Sequence, residues 1–231
     1  MKLAVMQPYF LPYIGYWQLI NAVDTFVIYD NVQYTKKGWI NRNRFLLNGK
    51  DKMFTVNLRK DSDYLNVDQR FLSHDYKKDK LIAMFHNAYY KACNYNEVIK
   101  LIIEIINCKE EDLFKYIYNS VIKICEYLSI NTKIIISSSV NIDHSLKAQS
   151  KVIALCKQLN VQTYINAIGG VELYNKDDFL KNNIKLQFLK TKPIEYKQYN
   201  NEFIPNLSIL DVMMFNSPDK IKIMLQKFEI L

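Results

Sequence analysis

Residues 7–45 read QPYFLPYIGYWQLINAVDTFVIYDNVQYTKKGWINRNRF, and this stretch decides the fold. Just before it, LAVM (3–6) is a short apolar run stopped by Gln7 and Pro8, the pattern of a buried strand entering a loop. Residues 14–23 carry Ile14, Trp17, Leu19 or Ile20, and Val23 at helical spacing, and FVIYD (26–30) is a second buried apolar run. Strand, loop, helix and strand in that order make a βαβ unit, which implies a parallel sheet.

Working outward, residues 39–47 and 51–58 pair across Asn48-Gly49, a hairpin signal. The pattern is mostly helical from 75 to 129, and KIIIS (133–137) is strand-like. Residues 145–159 form an amphipathic helix with Leu146, Val152, Ile153, Leu155, Cys156 and Leu159 inward. A strand at 162–166, a helix near 175–182 and a strand at 184–190 follow, then a polar aromatic loop after Pro193. NLSILDVMMFNSP (206–218) opens a helix capped by Ser208 or Asn206. The expectation is a three-layer, Rossmann-like α/β fold with a parallel sheet. It is expected to form a single domain over 1–231, with a mainly helical middle segment at about 75–130.

The 231 residues are 49% hydrophobic and 13% aromatic, ample material for a core. No apolar run approaches the roughly 18 residues of a membrane span. The start, MKLAVMQPYF, is too short in apolar residues for a signal peptide, so a cytoplasmic location is expected. Cys93, Cys108, Cys125 and Cys156 are widely spaced with no CxxC pair, which reads as buried thiols and predicts no metal site. The formal charge is +8, from 31 basic and 23 acidic residues. The lysines are dispersed, which reads first as a solvated surface and not as a nucleic-acid interface; the milder alternative is attraction of an anionic small molecule such as a nucleotide sugar. All four arginines, Arg42, Arg44, Arg59 and Arg70, fall in one short region, and each offers a planar fork of donors for phosphate or carboxylate.

In parallel sheets ligands sit beyond the carboxyl ends of the strands. The loop 7–16 occupies such a place, with Gln7, Tyr9, Tyr13 and Tyr16 as candidate substrate-binding residues and Gly15 allowing close backbone approach. The competing reading is a loop that only packs aromatics. The second loop, DNVQYTKKGWINRNR (30–44), opens on Asp30, a candidate base. Gln33, Asn41 and Asn43 supply amides for hydroxyls or a base edge, and Trp39 a flat apolar surface. In extended chain Asn41 and Asn43 share one face while Arg42 and Arg44 share the other. His86, on a helix among aromatics, is either a core histidine or a second candidate base. Ser138, in a serine run at a strand end before a helix carrying Lys147 and Lys151, suits phosphate, although serine also caps helices. Gly169 and Gly170 follow another strand and would let a ligand near the backbone. Asp211, on an apolar helix, needs a buried partner, with Arg42 or Arg44 the expected one.

Through QPYFLPYIGYW, DNVQYTKKGWINRNR and NLSILDVMMFN the chain resembles the WbqC-like family of bacterial polysaccharide-biosynthesis proteins, over almost its whole length. The resemblance implies transfer of an acyl or aminoacyl group onto the amine of a nucleotide-linked deoxyamino sugar, such as dTDP-4-amino-4,6-dideoxyglucose. It implies a thioester donor on an acidic acyl carrier protein or on coenzyme A, and no tightly bound cofactor. LPYIGYWQLINAVDTFVIYD is also laid out like the His-x-Gly-His region of nucleotidyltransferases and pantothenate synthetases, but with Tyr13 and Tyr16 at the histidine positions. An ATP-dependent ligase and a non-catalytic nucleotide-sugar partner are therefore the alternatives to the transferase.

Overall fold

The computed structural model describes residues 1–200 and 202–231. In chain order the elements are β1 (Lys2–Met6), α1 (Ile14–Asn21), β2 (Thr25–Ile28), β3 (Arg42–Leu47), β4 (Lys50–Thr55), α2 (Lys78–Tyr89), α3 (Tyr95–Ile106) and α4 (Leu113–Leu128). They continue with β5 (Lys133–Ile136), α5 (Ala148–Gln158), β6 (Thr163–Ala167), α6 (Lys176–Lys181), β7 (Lys185–Thr191), α7 (Ile209–Phe215), α8 (Pro218–Met224) and β8 (Phe228–Ile230). The main sheet has the order β5-β2-β1-β6-β7-β8, parallel throughout except for β8. The parallel strands thus run third, second, first, fourth, fifth across the sheet, the Rossmann-like order, with the topological switch between β1 and β6.

The strands are apolar on both faces because both faces are covered. Leu3, Val5 and Val27 pack with Val152, Leu155 and Cys156 of α5 and Phe179 of α6. Ala4, Phe26 and Ile28 pack on the opposite side with α1 and the helical segment α2–α4. These are the three layers expected. Helix α1 is buried nearly all round, from Ile14 to Ile20. Its fully buried Gln18 is satisfied on both ends of its amide: Nε2 donates to the carbonyls of Met224 (2.8 Å) and Lys227 (3.0 Å), and Oε1 accepts from Thr191 (2.7 Å).

The hairpin β3–β4 stands apart from the main sheet and turns at Asn48 (φ 52°) and Gly49 (φ 73°), the left-handed pair that a two-residue hairpin loop needs. Its strands are shorter than the expected 39–47 and 51–58. Helix α5 starts later than expected. The Asp143 carboxylate accepts from Ser145 N (2.9 Å) and Oγ (2.7 Å), and Ala148 sits at φ 46°, so Leu146 stays outside the helix. Lys151, not only the aliphatic residues, lies on its buried face. The elements α8 and β8 were not anticipated: Ser217 caps α8 with Pro218 at its first position, and β8 is too short to show a period.

Asp211 corrects one expectation. Its partner is neither Arg42 nor Arg44. The fully buried carboxylate accepts from Tyr89 Oη (2.8 Å), Tyr196 Oη (2.6 Å) and Gln198 Nε2 (2.6 Å), while Tyr89 Oη accepts from Leu46 N (2.9 Å). Three neutral donors satisfy the carboxylate without also stripping water from a guanidinium. Burial still holds this carboxyl above the ordinary carboxylate range, with the three donors pulling it down. A carboxyl with a raised folded pKa binds its proton more tightly when folded, so its contribution to stability falls as pH climbs from the ordinary value toward the raised one.

Replacing Asp211 by Ala leaves three buried donors without an acceptor and is expected to cost about 3 kcal/mol in urea unfolding. A loss under about 1 kcal/mol would show the network to be dispensable. The expected burial of the thiols holds for Cys125 and Cys156, where it pushes them up to about 12, but not for Cys93, which is exposed, nor fully for Cys108, which is half-buried. A disulfide reagent is therefore expected to modify Cys93 in the native protein and to reach Cys125 and Cys156 only after unfolding. Rapid native reaction at either buried thiol would contradict this packing.

Candidate functional site at the carboxyl edge of the sheet

The loop leaving β1 is fixed by the chain's own polar groups. Leu11, at φ 49°, presents its carbonyl to Asn43 Nδ2 (2.8 Å) and Ser208 Oγ (2.7 Å). Trp17 Nε1 donates to Pro12 O (3.2 Å), Phe10 N to Ile40 O (2.9 Å) and Ile209 N to Pro12 O (2.9 Å). Tyr16 is buried, its ring against Trp17 and Phe26 and its hydroxyl on Gln7 O (3.0 Å). Tyr9 donates to Gln7 Oε1 (3.1 Å).

Asn41 and Asn43 do share the buried face, and Arg42 and Arg44 the other. The amides serve the scaffold: Asn41 Nδ2 donates to Val56 O (2.8 Å) and its Oδ1 accepts from Tyr34 (2.8 Å). Arg42 donates to the carbonyls of Gly38 and Lys37. Arg44 pairs with Asp51 (3.1 Å) and lies 5.9 Å from the ring centre of Trp39. Tyr9, Tyr13, Trp39, Asn43 and Arg44, with Pro12 and Asn206, line a small cleft of about 200 Å³.

A larger cleft, about 680 Å³, opens at the end of β2. Tyr29, Asn31 and Gln33 come from the loop that leaves β2, Tyr64 and Asn66 from the segment before the 3₁₀ turn Val67–Gln69, and His144, Lys147 and Lys151 from the approach to α5 and its first turn. Tyr174 arrives from beyond β6. It follows the 3₁₀ turn Ile168–Leu173, where a Cβ on Gly170 would stand 2.1 Å from Asn166 Nδ2; Gly169 faces open space. Glycine at 170 therefore lets this turn close against β6. Gln33 Nε2 donates to Asp63 O (3.0 Å), joining the two loops on one wall.

Asp30 lies buried beneath this region. Its Oδ1 accepts from Ser138 N (3.0 Å) and its carbonyl from Asp68 N (3.2 Å). Ser138 thus meets Asp30 through its backbone, with its side chain in an exposed residue. Asp68 has a buried Oδ1 without a hydrogen-bond partner, and its carboxyl is raised by burial and then by the neighbouring Asp30. His86 is elsewhere, exposed on α2, bonded to Tyr95 and stacked on Tyr90 (5.9 Å). Asp30 and His86 are therefore not brought together.

Sequence reasoning did not single out Tyr29, Asn31, Asp68 or Tyr174. It flagged Lys151 only as a helix lysine, and the available signal was its position four residues before Leu155, on the apolar stripe. A third cleft, at the end of β7, has Lys192, Glu195 and Glu202 in its wall and none of the expected ligand residues.

No helix among the described residues is long and apolar enough to cross a membrane. The chain is similar to the Mycobacterium tuberculosis protein titled "Uncharacterized protein Rv1507c", with 26% identity over 219 residues and 93% of each chain covered. No solved structure matches the chain. The model of the WbqC-like protein family matches residues 7–223, which take in four of the six strands of the main sheet and the loops at its carboxyl edge, and the chain belongs to that family.

Proposed function

We propose that this protein transfers an acyl or aminoacyl group from a thioester to the amine of a nucleotide-linked deoxyamino sugar, in surface polysaccharide biosynthesis. The observation that carries the reading is the wall of the larger cleft. Three tyrosines, three side-chain amides, two lysines and a histidine line it, and no carboxylate does. Its volume is within the 300–1,000 Å³ typical of small-molecule sites. Tyrosine faces suit a base or sugar ring, amides suit hydroxyls and base edges, and the cations suit a diphosphate.

In the reaction the amine lone pair attacks the thioester carbonyl, the C–N bond forms, and the C–S bond breaks with departure of the thiolate. The amine must also lose a proton. Asp30, beneath the cleft and next to Asp68, is the candidate to receive it. Asp68, with its raised carboxyl, can hold a proton nearer neutral pH than an ordinary aspartate. His86, on the outer helical layer, is a weaker candidate on position alone. Tyr16 is sunk in the core where a phosphate-binding histidine would stand in the nucleotidyltransferase layout, which favours acyl transfer over ATP-dependent activation.

Incubation of the protein with dTDP-4-amino-4,6-dideoxyglucose and a panel of acyl and aminoacyl thioesters is expected to give one product whose mass rises by the transferred group. Asp30→Asn is expected to lower turnover about 100-fold or more. Binding of the sugar nucleotide without product from any donor would replace the transferase by a non-catalytic partner. Pyrophosphate release from ATP would favour the ligase.

A further inference from the structure

Lys151 is 6% exposed, yet it makes no ion pair within 4.0 Å among the described residues. Its ammonium donates to Asn31 Oδ1 (2.9 Å) and Asn31 O (3.3 Å), and lies 5.3 Å from the ring centre of Tyr29. Donor and acceptor logic then fixes everything behind it. An ammonium only donates, so the Asn31 oxygen must face Lys151 and its NH₂ must face His144 Nδ1 (2.9 Å). That nitrogen must accept, so Nε2 carries the ring proton and donates it to Val140 O (3.0 Å). Lys151, Asn31, His144 and a backbone carbonyl form one directional chain with each partner's role set.

The arrangement is costly unless something completes it. Burial pulls the Lys151 pKa down, and Asp30 and Asp68 pull it up without touching it. Those two carboxylates do not line the cleft, whereas Lys147 and His144 do. The ammonium therefore shares its cleft with a second cation, Lys147, and with neutral dipoles, a setting for an anion.

We propose that Lys151 is a phosphate hook for the nucleotide-linked substrate, with Asn31 and, through it, His144 as positioning residues. The proposal rests on the nucleotide-sugar reading of this cleft. It puts the diphosphate on Lys151, since Arg42 and Arg44 are engaged with Gly38, Lys37 and Asp51.

Calorimetric titration with inorganic pyrophosphate, thymidine 5′-diphosphate and thymidine tests it. The wild-type protein is expected to bind both anions. Lys151→Met should weaken both by about 10–100-fold and leave thymidine unchanged, and Lys151→Arg should recover most of the loss. His144→Phe leaves the lysine in place but cuts the chain; it should weaken both anions less than Lys151→Met does. In the wild type, pyrophosphate should shift the ¹⁵N signal of the Lys151 ammonium. A folded Lys151→Met protein that binds both anions like wild type overturns the proposal, as does a wild type that binds neither. Should Lys151→Met not fold, unchanged anion affinity in His144→Phe overturns it. Lys151-dependent pyrophosphate binding without any acyl transfer leaves the hook standing and removes the transferase. Normal transfer with an unchanged KM in Lys151→Met does the reverse.

Discussion

A loop that leaves the carboxyl end of a buried strand carries carbonyls that cannot be left without partners, and the rest of this protein is arranged around meeting that demand at Leu11 and Pro12. The Leu11 carbonyl takes donors from Asn43, on the hairpin, and Ser208, at the start of α7. The Pro12 carbonyl takes Trp17 and Ile209. Ser208 N closes the ring by donating to Arg44 O (2.8 Å). The three segments by which the sequence resembles its family, 7–17, 30–44 and 206–216, therefore meet at one place. Polar residues in these segments, Asn41, Asn43 and Ser208 above all, are engaged by backbone groups of the other two or of β4's exit. What reads in sequence as a row of ligand-seeking amides is to a large extent the clasp that holds the carboxyl edge in shape.

This explains why the fold was more legible than the site. Parallel strands buried on both faces must be apolar runs, and helices between them must show a 3.6-residue stripe, so β1, α1, β2, β5, α5, β6 and β7 each left a mark in local sequence. The Asn48-Gly49 hairpin was legible for the same kind of reason, since few residues adopt two consecutive left-handed conformations. Misreadings came where a long-range interaction outweighed the local pattern. Helix α5 begins at Ala148 because the Asp143 carboxylate captures Ser145 first. β8 is a strand only because β7 offers it an edge.

Pairing of side chains across elements was the least legible feature. Asp211 finds Tyr89 across 122 positions, and Gln18 finds Met224 across 206. A chain with many tyrosines and amides can satisfy a buried carboxylate in several ways, and the residue types alone favour an arginine. Packing decides otherwise: the face of β3 that carries Arg42 and Arg44 is half-exposed, so their charges stay near water while the buried face carries asparagines. A strand's period of two thus separates the arginines from the interior acid before any energy of pairing is weighed.

The same separation operates at the cleft beside β2, in reverse. Lys151 is on the inward stripe of α5, so its charge must be stabilised at a site water reaches poorly. Asn31, His144 and the Val140 carbonyl orient it, and Asp30 and Asp68 offset its charge from outside the cleft wall. A lysine needed only for solubility would occupy the outward face, as Lys157 does in the same helix. Replacing Lys151 by leucine would bury more apolar area and leave no charge to match, so stability alone does not account for an ammonium there. Its position at the carboxyl edge, beside Tyr29 and opposite an open volume, accounts for it if the missing partner is an anion that enters with the substrate.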